Sequence, residues 1–221
     1  MTSSTPAAPP EVAAGLLTPD ETVLVLVDVE SQMFFGVQSH DRQTIINNTV
    51  GLAKAAKVFG IPTVVTTVYE KYFSGPMPAS LAELFDPADV IDRSTMNPWE
   101  DPRVVAAVAA TGRRRLVLAG LWTEVCIVMP ALSALAEGYS VHVVTDACGG
   151  TSTEAHERAV QRMVQAGVVP LTWLQVLLEL QRDWARDATS GAVRDVAIEH
   201  AGAYGQGSAY VAAMFGSSTS S

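Results

Sequence analysis

The stretch VLVLVDV at residues 23–29 decides how the rest of the chain is read. Every residue but Asp28 is apolar and most are β-branched, a composition that fits an extended strand. The apolar residues are nearly continuous rather than alternating, so both faces of the sheet must be covered, as in a parallel sheet flanked by helices. IPTVVTTV (61–68), RLVLAG (115–120), SVHVVTDA (140–147) and VVPLTW (168–173) repeat the signature, and a short strand near Val90 and Ile91 makes a sixth. Helical patterns fill the gaps at about 41–59, 99–110, 124–137, 154–166 and 174–186. Asn97 and Pro98 with Glu100, and Thr151 with Glu154, read as helix starts of the capping-box type. Gly60, Gly138 and Gly167 fall where helices should stop. This alternation predicts an α/β fold: a three-layer α/β/α domain on a mostly parallel six-stranded sheet with right-handed crossovers.

Working outward, 221 residues suit one domain with tails. Residues 1–18, rich in Ser, Thr, Pro and Ala, and residues 201–221, rich in Gly, Ala and Ser, have the composition of segments with little to bury, leaving 19–200 as the domain. The C-terminal tail nevertheless carries Tyr204, Tyr210, Val211, Met214 and Phe215, enough apolar surface to dock on a neighbouring subunit. Charged residues are 17% of the chain and apolar ones 48%, against about 25% charged in an ordinary soluble domain, which points to hidden subunit contacts and a homo-oligomer. Acidic residues outnumber basic ones 23 to 14 for a net charge of −9, so a surface that binds nucleic-acid phosphates or anionic lipid is not expected. Apolar runs stop short of the roughly 20 residues of a membrane span. The two cysteines, and an opening stretch without a basic start or a long apolar run, lead to the expectation of a cytoplasmic chain.

In open parallel sheets ligands collect beyond the carboxyl ends of the strands. Asp28 ends the first strand, Arg93 follows the weak one near Val90, and Cys126 lies just past the strand that ends at Gly120. An acid there is costly to desolvate alone, so Arg93 is its candidate partner; a solvated Asp28 that merely ends the strand fits the spacing as well. Cys126 falls in the first turn of a helix that Thr123 would cap, where free amides and the helix dipole favour a thiolate and can receive an oxyanion. Pro130 lacks the amide hydrogen that would bond the Cys126 carbonyl, so the helix should bend or open beside the sulfur. On spacing alone a buried packing cysteine is the favoured reading. Phe34, Phe35, Met96, Trp99 and Trp122 lie in segments that converge on the strand ends and are candidates for the wall of a narrow substrate pocket, each also a candidate for core or subunit contact. Glu124 and Asp146 read as a helix-start acid and a strand-end turn acid.

GLWTEVCIVMPALSALAEG (120–138), with LVLVDVE (24–30), DRSTMNPWED (92–101) and VHVVTDACGG (141–150), resembles the isochorismatase-like cysteine hydrolases, and among them the YcaC-like branch. The resemblance runs in order through nearly the whole chain between the tails, and TEVC followed by PALSA is its strongest piece. It implies that Cys126 is the nucleophile, Asp28 the general base, and Arg93 the cation at a position where most members carry lysine. It also implies a non-proline cis peptide between Leu121 and Trp122, an oxyanion site formed by the Trp122 and Cys126 amides, and rings of subunits, an octamer in this branch. Members usually show Asp-x-Gln at the end of the first strand, whereas Glu30 here puts a second carboxylate at the pocket. Arginine holds its proton at ordinary pH, so Arg93 would act by holding Asp28 and lowering the thiol pKa.

The function expected is hydrolysis of a small amide-type C–N bond through an acyl-enzyme, with no cofactor. His40, His142, His156 and His200 show no metal-binding spacing, and Gly149 and Gly150 form no phosphate-binding motif. Two other classes stay open: isochorismatase-type vinyl-ether hydrolysis, disfavoured because that branch of the family manages without the cysteine, and a non-catalytic or redox-responsive oligomer with Cys126 as sensor thiol.

Overall fold

A computed structural model of the chain describes residues 15–215. In order these form β1 (Thr22–Val27), α1 (Ser31–Phe35), α2 (Arg42–Val58), β2 (Thr63–Val68), α3 (Ala79–Ala82), β3 (Val90–Arg93), α4 (Pro102–Ala110), β4 (Arg115–Leu121), α5 (Val128–Ala136), β5 (Ser140–Gly149), α6 (Thr153–Ala166), β6 (Val169–Leu171), α7 (Trp173–Gln181), α8 (Asp187–His200) and α9 (Gly202–Phe215). All strand pairs among the described residues are parallel, in the order β3-β2-β1-β4-β5-β6. The chain thus winds outward from β1 in one direction and from β4 in the other, and β1 and β4 lie side by side at the reversal.

Burial follows from the sequence pattern. Every residue of β1 is buried, as continuous apolar runs require, and each buried Val or Leu is worth about 2 kcal/mol relative to exposure. Helices cover both faces: α2 packs with α7 and α8, while α5 packs against α6 and β5. Gly120 allows the closest approach in the sheet, since its φ is +139° and a Cβ there would stand 1.8 Å from the Val27 carbonyl oxygen. Any side chain would drive β4 off β1 beside the site. The expected stops at Gly60, Gly138 and Gly167 all have positive φ.

Two expected helix starts differ by a residue or in kind. Asn97 does cap, accepting from the Trp99 amide at 3.1 Å, but it begins a 3-10 turn at Pro98–Glu100, and α4 starts anew from Asp101. Helix α6 is capped by Ser152, which accepts from the Ala155 amide at 3.0 Å; Thr151 is instead tied to Glu124.

The tails also differ from expectation where they are described. Residues 1–14 and 216–221 lie outside the described residues. Leu17, read as tail, is fully buried, its amide bonded to Glu179 and its carbonyl to Arg182. Residues 202–215 form α9, seated on α8 by Gly205, where a Cβ would meet the Ala197 carbonyl oxygen at 2.2 Å. Among the described residues no helix is long and apolar enough to cross a membrane.

Candidate active site

The site grows from the reversal between β1 and β4, where crossovers leave in opposite directions and open a crevice at the carboxyl ends. Asp28 follows the last residue of β1, is fully buried, and has φ +54°, a left-handed backbone that a non-glycine residue adopts only when its surroundings enforce it. Its amide donates to the Thr66 carbonyl at 3.0 Å, which fixes the turn against β2.

Arg93 is the last residue of β3, two strands away, and its buried side chain reaches back across the ends of β2 and β1. Its Nη2 faces both Asp28 oxygens at 2.6 Å, its Nε donates to Thr66 Oγ1 at 3.3 Å, and its Nη1 donates to the Thr95 carbonyl. All three guanidinium nitrogens are therefore engaged, which is what a buried cation needs. Burial raises Asp28 to about 6, and the Arg93 charge limits that rise. Of the two readings left open by spacing, the paired one holds: Asp28 is no solvated strand terminator.

Cys126 is brought to the same point from the other side of the crevice. The Leu121–Trp122 peptide is cis, and it turns the chain from β4 into a π turn at Thr123–Ile127, closed by the Ile127 amide to the Trp122 carbonyl at 3.4 Å. This is the local opening that Pro130 called for, and α5 resumes at Val128. The Cys126 sulfur faces Asp28 and the Trp122 amide. Burial first, and then the negative Asp28, push this thiol well above the usual cysteine range. The shift runs opposite to the sequence-based expectation of a thiol lowered by Arg93 and the helix start: burial and the Asp28 charge favour the protonated thiol, which faces an ionisable base. Thr123 does not cap the helix either; its hydroxyl is paired with His156 Nδ1 at 2.9 Å.

The expected pocket residues separate into groups. Trp122 is half-buried and anchored by its indole N–H to the Met33 carbonyl at 2.9 Å. Phe34 is buried in the core, while Phe35 and Met96 are 75% and 66% exposed on segments leaving β1 and β3. Trp99 packs edge-on against Tyr139 at 5.4 Å, and Tyr139 precedes β5, so this ring belongs to the core at the far end of the sheet rather than to a pocket wall. Glu30 is fully buried and turned toward β2: Oε2 accepts from the Val68 amide at 3.0 Å, and Oε1 is bonded to Ser74 Oγ.

Several participants escaped the sequence reading. Thr66 and Thr95 position Arg93, and Ser74 partners Glu30. Thr66 carried a weak signal as a polar residue on a buried strand; Ser74 sits in a loop with no pattern to mark it. Tyr69, Tyr72 and Phe73, exposed after β2, add aromatic surface at the same edge. His40 and His156, scattered in sequence, meet with ring centroids 4.7 Å apart beside Thr123, where burial lowers His156 to about 4 and so keeps it neutral. Glu124 and Asp146 are structural, accepting from Thr151 and from the Trp173 amide at 2.8 Å.

The fold is shared with known proteins. Residues 22–175 match the isochorismatase domain model. The chain is 38% identical to the probable hydrolase YcaC of Escherichia coli over 172 residues, 77% of this chain and 83% of that one. The octameric E. coli YcaC hydrolase of unknown specificity superposes with a TM-score of 0.86 at 34% identity, over 92% of this chain and all of that one. YcaC of Pseudomonas aeruginosa, bound to hexane-2,5-diol and covalent acrylamide, superposes with a TM-score of 0.85 at 34% identity, over 93% and 100%. The all-parallel sheet flanked by helices agrees with these likenesses, and the chain belongs to the isochorismatase-like hydrolase family, in its YcaC-like branch.

Proposed function

We propose that this hydrolase cleaves an amide-type C–N bond of a small molecule through an acyl-enzyme on Cys126. The observation that carries the reading is the buried Asp28–Arg93 ion pair, gripped by both carboxylate oxygens, with the buried Cys126 thiol facing it. As sulfur attacks the carbonyl carbon, the Asp28 carboxylate takes the thiol proton. The oxyanion is received by the amides of Trp122 and Cys126; losing one such donor typically costs on the order of 3 kcal/mol in the transition state. Collapse breaks the C–N bond and Asp28 passes its proton to the departing nitrogen. Water, deprotonated by Asp28, then cleaves the thioester to release the acid and restore the thiol. Arg93 keeps its proton throughout and holds the carboxylate in place.

Covalent acrylamide in the P. aeruginosa relative agrees with an amide-bearing electrophile reaching a site of this kind. A redox-sensor role fits poorly, because sensor thiols are exposed and ionised, whereas Cys126 is buried and held protonated. Ammonia release over a panel of small primary amides tests the reading: turnover lost in Cys126→Ala is expected, and turnover unchanged in that variant would overturn it.

The active form is proposed to be a homo-oligomer. Phe35, Tyr72 and Met96 at the crevice edge, and Tyr210, Val211 and Met214 on α9, are more apolar surface than a monomer usually leaves to water. The octameric E. coli relative supports the same assembly here. Light scattering should give eight chains per particle, and a monomer of full activity would contradict it.

A further inference from the structure

Hydrogen-bond counting at Glu30 leaves one proton unassigned. Ser74 is fully buried, and its hydroxyl lies within hydrogen-bonding distance of two acceptors, Glu30 Oε1 and the Val68 carbonyl. A hydroxyl has one hydrogen, so it cannot donate to both. The other carboxylate oxygen, Oε2, already accepts from the Val68 amide at 3.0 Å. The set closes only when Glu30 itself carries a hydrogen: Oε1–H donates to Ser74 Oγ, Ser74 donates to the Val68 carbonyl, and Val68 N–H donates back to Oε2.

We propose that Glu30 is a positioning residue that works as a neutral carboxylic acid, locking the segment after β2 to the end of β1 so that Asp28 stands as the only buried negative charge beside Cys126. The ring is cyclic and fully paired, whereas an ionised Glu30 would leave Ser74 to serve one acceptor and abandon the other in a buried site. The charged groups facing it point the same way. Asp28 on the same turn and Asp92 on β3 are both acidic, and both disfavour a further negative charge. From the segment after β2, Tyr69, Glu70, Lys71 and Tyr72 are exposed, and the buried Ser74 is the residue bonded to Glu30. Arg93, the buried cation nearby, has its guanidinium nitrogens committed to Asp28, Thr66 and Thr95. Burial raises Glu30 from 4.5 to about 8, in keeping with the count. Placed two residues from the base, Glu30 would make that base harder to ionise whenever it lost its own proton.

The inference deepens the hydrolase reading, but its test reads the proton without turnover. Carbon-13 NMR of glutamate-labelled protein, assigned by comparison with Glu30→Gln, should show one buried carboxyl that stays protonated at pH 7 and titrates near 8. Glutamine can copy both bonds, donating to Ser74 and accepting from Val68, so Glu30→Gln should fold as the parent does. Because the folded acid holds a proton that the unfolded one releases, the folding constant of the parent relative to Glu30→Gln should fall by up to about tenfold per pH unit between roughly 4.5 and 8, then level off. Glu30→Ala, which leaves Ser74 and Val68 unpaired, should be destabilised where Glu30→Gln is not. A carboxylate signal for Glu30 at pH 7, or a parent-to-Gln ratio that does not change with pH, would overturn the proposal while leaving the role of Cys126 untouched.

Discussion

The chain holds two cysteines in similar packing and in different company. Cys126 and Cys148 are both buried, and burial pushes both thiols up, Cys148 to about 12. Cys148 lies on β5 beside Gly120 of β4, whereas Cys126 sits on a π turn facing Asp28 and the Trp122 amide. Burial alone makes an inert thiol. What separates the two is a base in contact, so the chemistry of this fold depends on delivering a proton acceptor to one sulfur rather than on stabilising a free thiolate.

The comparison breaks most sharply at the sulfur itself. Cys126→Ala should lower amide turnover by roughly four orders of magnitude or more, while Cys148→Ala keeps it, as steady-state ammonia release will show. Asp28→Asn, which keeps the shape and removes the base, should cost on the order of 10²- to 10⁴-fold. In the parent, the rate should rise with pH as Asp28 ionises, with a midpoint near 6, since the base acts only when deprotonated. That limb should vanish in Asp28→Asn.

The resemblance and the strand-end rule together made Asp28, Arg93 and Cys126 legible, because each follows directly on a hydrophobic run or a distinctive motif. The sheet was legible for the same reason: β1 and β4 are nearly continuous apolar runs, and β2 and β5 are rich in β-branched residues. What escaped depends on partners distant in the chain. Ser74 meets Glu30 across 44 residues, and no local pattern announces it. Thr123 looked like a cap until His156, 33 residues on, proved to hold its hydroxyl. Helix α8 was missed because its stretch DATSGAVRDVAIEH is mixed and buries only Val193, Val196 and Ala197. Helix α9 read as a tail because it buries only Gly205, by close approach to the backbone of α8 rather than by bulk. Trp99, a candidate for pocket wall or core because its segment converges on the strand ends, is carried by the 3-10 turn to Tyr139.

Smaller effects sharpen the contrast. Arg93→Ala strands a buried carboxylate and should cost about 3–5 kcal/mol in chemical denaturation, with Asp28 retaining its proton to higher pH. Cys148→Ala should cost only about 1 kcal/mol by the same measurement, the worth of one core atom.

Alkylation by acrylamide, followed by intact-protein and peptide mass spectrometry against pH, reads the difference between the two sulfurs most directly. The expected result is a single adduct on Cys126, formed at a rate that climbs through pH 6 and is slowed at least about a hundredfold in Asp28→Asn. Labelling of Cys148 in place of Cys126, or equal rates with and without the Asp28 carboxylate, would contradict a base-activated nucleophile at the mouth of the crevice.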